Sequence, residues 1–292
     1  MVAGAFLIAV PNASEGRDRQ VIDAIAFAFG ARARVLDVHS DPDHGRSVFT
    51  IAAPQGDLHA ALLDGARACV ERIDLRSHRG SHPHVGALDV APVVYLDDAQ
   101  RGAACAEALT AGALVGDELE LPVFIYGELA TQAGCRHRAD LRRGGPEALA
   151  GRIEGGQLAP DFGPPRLHPS AGAVLVAARP PLIAFNVDLA TDDLERARHV
   201  AAGLRESGGG LPGVRAIGLY LPARGRAQVS VNVEDHRSVP LAEIVERVRS
   251  EAQIAEAELV GLAPKAAFDG FPDDLPLRGF DPQRHLIENA LR

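Results

Sequence analysis

The sequence predicts an α/β (α+β) protein with two tandem ferredoxin-like subdomains, each with the element order βαββαβ. Short apolar runs bounded by turn residues alternate with longer segments whose apolar residues recur at helical spacing. This order occurs twice, and a stretch rich in glycine and proline separates the two occurrences. We therefore expect mixed or antiparallel sheets with external helices. The 292 residues, 47% of them hydrophobic, suffice for such a core.

The first occurrence begins with a buried strand and ends with another. Continuous apolar or β-branched runs predict strands, and apolar residues three and four apart predict helices. The predicted elements are a strand over 5–10, a helix over 18–31, strands over 34–39 and 47–53, a helix over 58–73 and a strand over 87–96.

A helix over 99–116 and a strand over 123–126 extend this half. Residues 144–172 then carry seven Gly and five Pro among 29 residues, which predicts a shaped connection without regular elements. We place the domain boundary there, with an N-terminal subdomain over 1–165 and a C-terminal subdomain over 166–292.

The second occurrence repeats the order without an obvious repeat of the sequence, which favours a ligand held between two similar halves. Residues after 264 contain several Pro and Asp and show no strong pattern. The predicted elements are a strand over 182–189, a helix over 192–206, strands over 214–221 and 227–233, a helix over 241–255 and a strand over 258–262.

Composition excludes several classes of protein. The net charge is -9 and only 4% of residues are aromatic, so the chain offers neither a cationic footprint nor stacking platforms for nucleic acid. No apolar stretch approaches the roughly 18 residues of a membrane span, and the N-terminus lacks the charged start of a signal peptide. Three cysteines without a CxxC pair indicate reduced thiols in a cytoplasmic protein.

The densest polar cluster covers residues 76–84 and holds His78, His82 and His84. Pro83 disfavours helical geometry at His82, so this imidazole is displayed on an extended backbone. An imidazole with an ordinary pKa of about 6.5 can accept and return a proton at neutral pH. Two other interpretations stay open: an exposed loop without a role, and a metal site that His39 or His44 completes.

Two further segments are candidates for ligand binding: a polar turn and a segment that proline and glycine make stiff. Arg46 follows the polar turn over 38–45, and its fork suits a carboxylate, whereas Asp41 and Asp43 fit ordinary turn chemistry. Residues 161–172 lack the Gly-Lys-Ser/Thr of a phosphate-binding loop. Because proline and glycine stiffen this segment, it forms an arc that would suit a flat, largely apolar ligand. The alternative is that the segment is only a linker.

Seven motifs, spread over most of residues 10–264, now point to one family. The chain resembles the glutamate formimidoyltransferases, that is, the formiminotransferase domain of the formimidoyltransferase-cyclodeaminase family without the cyclodeaminase domain. The motifs are VPNASEGR at 10–17, DPDHGRSVFT at 41–50, IDLRSHRGSHPHVGALDV at 73–90, PVFIYGE at 122–128, PDFGP at 160–164, LIAFNVDL at 182–189 and QVSVNVED at 228–235.

The resemblance implies a homodimer that moves a formimino group from N-formimino-L-glutamate to N5 of the co-substrate tetrahydrofolate. It implies that His82 is the catalytic histidine. It also implies that the folate contacts the segment Gly163, Pro164, Pro165, Arg166, Leu167, His168, Pro169, Ser170, Ala171 and Gly172.

Other side chains are assigned on the same ground. Both substrates carry carboxylates, for which Arg46, Arg76 and Arg79 are candidates, while neutral hydrogen bonds are expected from Tyr126, Asn186, Gln228 and Asn232. His39 and His84 are expected to support the catalysis.

The chain departs from its relatives around His82. Relatives usually have Glu and Arg where this chain has Ser81 and His84, and commonly Asp at His39. Three functions follow: transfer from formiminoglutamate or a related donor, folate binding without catalysis, and a metal-dependent hydrolase that uses His82, His84 and His39.

Overall fold

Residues 6–292 are described by this computed structural model, and they divide into two units after Pro180. The start of the predicted first strand, at residue 5, lies outside the described residues. The elements of the first unit are β1 Phe6–Ala9, β2 Asn12–Ala13, α1 Arg19–Gly30, β3 Arg34–Asp41, β4 Arg46–Pro54, α2 Leu58–Arg72, β5 Leu88–Val94, α3 Arg101–Glu118, β6 Val123–Ile125, α4 Arg138–Arg142, α5 Gly145–Glu154 and β7 Val174–Arg179.

The sheet of the first unit has seven strands, in the order β3-β4-β1-β5-β7-β6, with the short β2 also between β4 and β5. The pairs β3–β4, β4–β1 and β1–β5 are antiparallel, while β7 is parallel to both β5 and β6. The order β3-β4-β1-β5 is that of a ferredoxin-like unit, which confirms the prediction for this half.

The two faces of this sheet bury different side chains. On one face, α1, α2 and α3 pack around Phe29 and Phe49, whose ring centroids are 5.3 Å apart. Asp18 caps the start of α1, where its side chain accepts the N–H groups of Gln20 and Val21. On the other face, Phe124 and Leu149 belong to a separate cluster under α4 and α5.

The segment over 144–172 differs from the prediction. It contains α5, because Gly144 takes a positive φ of 76° and Pro146 occupies the first turn, where a proline fits. The division between the units also falls later than the boundary expected after residue 165, because β7 lies in the first sheet between β5 and β6.

The second unit forms a four-stranded antiparallel sheet in the order β11-β8-β10-β9, so the second βαββαβ prediction is also confirmed. The predicted helix over 241–255 ends early, at Glu251, because the last strand begins at Ile254. The elements are β8 Ile183–Leu189, α6 Leu194–Leu204, β9 Val214–Leu221, β10 Arg226–Val233, α7 Leu241–Glu251, β11 Ile254–Val260, α8 Pro282–His285 and α9 Ile287–Ala290.

The segment after residue 264 packs on the second unit. Phe271 lies edge-on to the buried Phe185 of β8 at 5.9 Å, and Phe268 lies between Phe271 and Phe280. Within residues 6–292, no helix is long and apolar enough to span a membrane.

Candidate active site

The histidine-rich loop before β5 is bonded to the turn between β3 and β4. The Ser81 N–H donates to the Asp43 carbonyl at 3.0 Å, and the His82 N–H donates to the His44 carbonyl at 3.3 Å. The Ser81 hydroxyl adds a second bond to the Asp43 carbonyl at 2.9 Å. The two segments that sequence analysis singled out separately therefore form one site.

Two glycines allow this close approach. A Cβ on Gly80 would lie 2.3 Å from the His44 carbonyl oxygen, and a Cβ on Gly45 would lie 2.7 Å from the Arg79 carbonyl oxygen. Gly45 also has a φ of +66°, a conformation that favours glycine. The backbone contacts at Gly80 and Gly45 fix the position of the loop that carries His82 relative to the turn between β3 and β4.

The His82 ring is held in its neutral form by burial and by the neighbouring Arg46. Arg46 Nη1 lies 2.7 Å from His82 Nε2. Because a guanidinium only donates, Nε2 accepts and the ring proton is on Nδ1. Burial, followed by the charges of Arg46 and Arg142, lowers the pKa of His82 well below its ordinary value. This imidazole is a base with its lone pair on Nε2.

Three further histidines lie in these two segments, and one of them stacks on the His82 ring. The His44 ring stacks on the His82 ring at a centroid distance of 6.0 Å. His78 and His84 meet edge-on at 4.3 Å. His84 Nδ1 donates to the His82 carbonyl at 3.3 Å, so His84 contacts the backbone of His82 and not its ring nitrogens. His84 can therefore act on the placement of His82.

His39 lies on β3, where it is opposite Val48 of β4. Asp41, two residues later on the same strand, is opposite Arg46. Because side chains alternate along a strand, His39, Asp41 and Arg46 share one face of the sheet. The sequence alone does not show which face of β3 carries Arg46.

The metal-ligand set required by the hydrolase hypothesis does not form. Nowhere in residues 6–292 do three or more His, Cys, Asp or Glu side chains come close enough to hold a metal ion. His82, His84 and His39 are therefore not the ligand set that this hypothesis needs.

The site holds a group of arginines that sequence analysis missed in part. Arg142, on α4, forms an ion pair with the buried Asp89, which also accepts the Val85 N–H at 2.8 Å. Arg138 lies one helical turn before Arg142. Burial, reinforced by Arg142, lowers the pKa of Arg46 to about 10. Burial also lowers the pKa of Arg138.

Tyr126 follows β6 and donates its backbone N–H to the Val176 carbonyl at 2.9 Å. Its side chain is 5% exposed, and its hydroxyl has no hydrogen-bond partner among the described residues. A buried hydroxyl without a partner is uncommon in folded proteins, and the role of Tyr126 in substrate binding stays a prediction.

The arc over 163–172 is anchored at both ends. Before it, Asp161 accepts the Ile125 N–H at 2.7 Å and the Thr131 hydroxyl at 2.6 Å. At its end, the Leu75 N–H donates to the Ser170 carbonyl, and the Ala87 N–H donates to the Ala171 carbonyl, each at 2.8 Å. Both donors flank the loop that carries His82, so the end of the arc is bonded to both ends of this loop.

The start of the arc borders a groove at the end of α3. A Cβ on Gly116 would lie 2.7 Å from the Gly163 nitrogen, so the arc contacts the helix backbone directly. The groove is lined by Ala113, Leu114, Gly116, Asp117, Glu120, Phe162, Gly163, Pro164 and Arg166.

The predicted binding residues of the second unit have different environments. Gln228 is fully buried, and its Nε2 donates to Asp188 Oδ1 at 2.7 Å. Arg224 and Arg278 also bind Asp188, so Gln228 belongs to an ionic cluster on the sheet. Asn232 lies on β10 opposite Ala184 and Arg215.

Asn186 donates to Glu258 at 3.4 Å. Arg76 forms an exposed ion pair with Asp74, and Arg79 donates to the His78 carbonyl at 2.7 Å. Asn186, Arg76 and Arg79 are thus bonded to the protein itself.

Comparisons with known proteins show which family this chain belongs to. A model of the formiminotransferase domain, N-terminal subdomain, matches residues 6–179, and a model of the formiminotransferase domain matches residues 184–269. Glutamate formimidoyltransferase of Streptococcus pyogenes serotype M1 is 34% identical over 97% of both chains. The Thermoplasma acidophilum protein of that name is 37% identical over 97% of this chain and 96% of its own.

A longer relative shows where the similarity ends. Formimidoyltransferase-cyclodeaminase of Sus scrofa is 40% identical over 89% of this chain but only 50% of its own length. The resemblance inferred from the seven motifs is therefore confirmed. This chain belongs to the formiminotransferase family.

Proposed function

We propose that this protein transfers the formimino group of N-formimino-L-glutamate to N5 of tetrahydrofolate, with His82 as the group that moves the proton. The observation that carries the proposal is the neutral, partly buried His82 ring among arginines, beside the arc over 163–172. Relatives that match nearly the full length of this chain bear the name glutamate formimidoyltransferase, which supports the same reaction.

The reaction needs a proton to move between two nitrogens. N5 of tetrahydrofolate attacks the amidine carbon of the donor and forms a tetrahedral adduct. The proton leaves N5, the bond between the carbon and the glutamate nitrogen breaks, and that nitrogen receives a proton. The transfer involves no oxidation or reduction. One acid–base group is sufficient for it, because the proton that leaves N5 can be given to the glutamate nitrogen.

His82 suits both halves of this proton transfer. Its neutral Nε2 accepts the proton from N5, and the lowered pKa of the ring favours returning that proton to the glutamate nitrogen. A donor carboxylate beside the reacting nitrogen would compete for the Arg46 fork and release Nε2. Substrate binding would thereby expose the base.

The arc supplies the second substrate site. It is stiff and ends beside the His82 loop, so a folate lying along it would present its ring to the imidazole. Because both substrates are then held in contact, positioning contributes a large part of the rate.

The test is turnover with tetrahydrofolate and N-formimino-L-glutamate, measured as release of glutamate. We expect the native protein to be active. We expect His82→Ala to lose about 10²–10⁴-fold in kcat, the typical contribution of a positioned acid–base group. Arg67→Gln, which removes an exposed charge on α2, is the control.

Circular dichroism would verify that His82→Ala remains folded. Binding of tetrahydrofolate without turnover of any formimino or formyl donor would contradict catalysis and indicate a folate-binding homologue. Full activity of a folded His82→Ala variant would overturn the role of this residue.

A further inference from the structure

The Arg138 guanidinium lies among other cations and lacks a partner. It makes no hydrogen bond or ion pair within residues 6–292. Asp89 is the carboxylate that acts on it most, but Asp89 is already paired with Arg142. Arg179 adds a further positive charge nearby. A partly desolvated cation in such surroundings favours an anion that the protein itself does not supply.

The Tyr126 hydroxyl is buried and has no hydrogen-bond partner among residues 6–292. The backbone places it near Arg138, because the Gly127 N–H donates to the Arg136 carbonyl at 3.2 Å, and the charge of Arg138 responds to Tyr126. A buried hydroxyl without a partner is destabilising, and natural structures have few of them. A ligand oxygen placed between this hydroxyl and the Arg138 guanidinium would satisfy both groups. A carboxylate fits because it can accept two guanidinium N–H groups and one O–H.

Arg46 and Arg138 differ in their contact with the candidate base. Arg46 Nη1 lies 2.7 Å from His82 Nε2, whereas Arg138 makes no hydrogen bond to this ring. Arg138 also lies one turn of α4 away from Arg142. Arg46 therefore lies at the reacting centre, and Arg138 with Tyr126 lies farther from it.

N-formimino-L-glutamate has its two carboxylates at two distances from the reacting nitrogen. The α-carboxylate is attached to the carbon that bears this nitrogen, and the side-chain carboxylate is two methylene groups beyond. We propose that Arg138 and Tyr126 form the subsite for the side-chain carboxylate of the donor, and so select a dicarboxylate. This inference rests on the proposed function, and it adds two specificity-determining residues.

The experiment compares two donors that differ only in this carboxylate: N-formimino-L-glutamate and N-formimino-L-glutamine. For Arg138→Gln we expect KM for the glutamate donor to rise about 10- to 100-fold with kcat largely retained, as for lost uniform binding. For the neutral glutamine donor, kcat/KM should be the same in variant and native protein. Arg143→Gln is the matched control, since Arg143 follows α4 and its side chain is 80% exposed.

Tyr126→Phe removes only the hydroxyl and retains the aromatic ring and its packing. We expect a smaller rise in KM for the glutamate donor and a higher midpoint of thermal unfolding in the ligand-free protein, because an unsatisfied buried hydroxyl is lost. Calorimetry with glutarate should show binding to the native protein and loss of this binding in Arg138→Gln.

The outcomes separate the two proposals. If the native protein does not turn over the glutamate donor, the proposed function fails, whereas glutarate binding still reports on the subsite. If the native protein is active but Arg138→Gln loses equal efficiency on both donors, or binds glutarate like the native protein, the subsite is wrong.

Discussion

Burial and the neighbouring Arg46 together set the protonation state of His82. Burial opposes a charge on the ring, and the Arg46 guanidinium, which donates to Nε2, opposes a second proton, so the pKa of His82 in the folded protein lies below the unfolded value of about 6.5. The folded state thus binds this proton less tightly. The stability from the neutral ring is fully present above about pH 6.5 and is lost as the pH falls toward the folded-state pKa.

Replacing Arg46 tests this relation directly. In Arg46→Gln we expect the pKa of His82 to rise toward 6.5, because a positive charge next to the ring is removed. An NMR titration of the ring C–H signals measures this pKa, and the acid limb of kcat/KM should move to higher pH with it. Arg67→Gln should leave both unchanged. An identical His82 titration in the native protein and Arg46→Gln would contradict the role of Arg46.

Sequence reasoning found part of this arginine group. Arg46 follows a polar turn and precedes an apolar strand, so the local sequence alone indicates a functional position. Arg138 and Arg142 lie on a short helix in a stretch without a strong apolar pattern, and their importance depends on Asp89 and Tyr126, which are distant in the sequence. Such long-range pairing has no local signal.

At the scale of elements, the site depends on contact between two loop backbones. Gly80→Ala would place a Cβ 2.3 Å from the His44 carbonyl oxygen, so the loop that carries His82 must shift. We expect a loss of about 1–3 kcal/mol in the free energy of unfolding, typical of overpacking. We also expect kcat to fall up to about 10²-fold, because small displacements of catalytic groups are costly.

Gly102→Ala is the matched control for this glycine. Gly102 lies in α3 with no neighbour within 4 Å of an added Cβ, so alanine should leave activity unchanged and favour the helix. Denaturant unfolding and steady-state kinetics measure both effects. If Gly80→Ala behaves like Gly102→Ala, the close approach of the loops does not position His82.

Elements with strong periodicity were predicted well, and those that depend on the rest of the fold were not. α1 and α2 have clear apolar stripes and fit the prediction within one residue at each end. β7 was overlooked although residues 174–178 are apolar, because only its pairing between β5 and β6 makes it a central strand. α5 was missed because its glycines indicated a loop.

At the scale of the whole molecule, each unit has its own hydrophobic core. Phe29 and Phe49 belong to a core made only of first-unit residues, and Phe185 belongs to a core made only of second-unit residues. The chain thus has two centres of stability, which the repeated βαββαβ pattern predicted.

Truncation of the second core should act locally. We expect Phe185→Ala to cost about 3–5 kcal/mol, the usual loss for a buried phenylalanine. Amide hydrogen exchange, followed by mass spectrometry, should accelerate over residues 181–292 and stay slow in β4 and β5. Phe27→Ala, at a side chain that is 82% exposed, should change the exchange little. Equal acceleration in both units would show that the two cores unfold together.

The attachment of the arc over 163–172 limits how the protein can admit its ligands. The arc leads directly into β7, a strand with neighbours on both sides, and Asp161 ties its beginning to β6. Swinging this segment outward would require pulling a strand from the middle of a sheet, so the arc is a rigid shelf and not a flap. On the proposed function, new ligand preferences would then be gained by exchanging side chains along the shelf, since lengthening or cutting it would disturb the sheet itself.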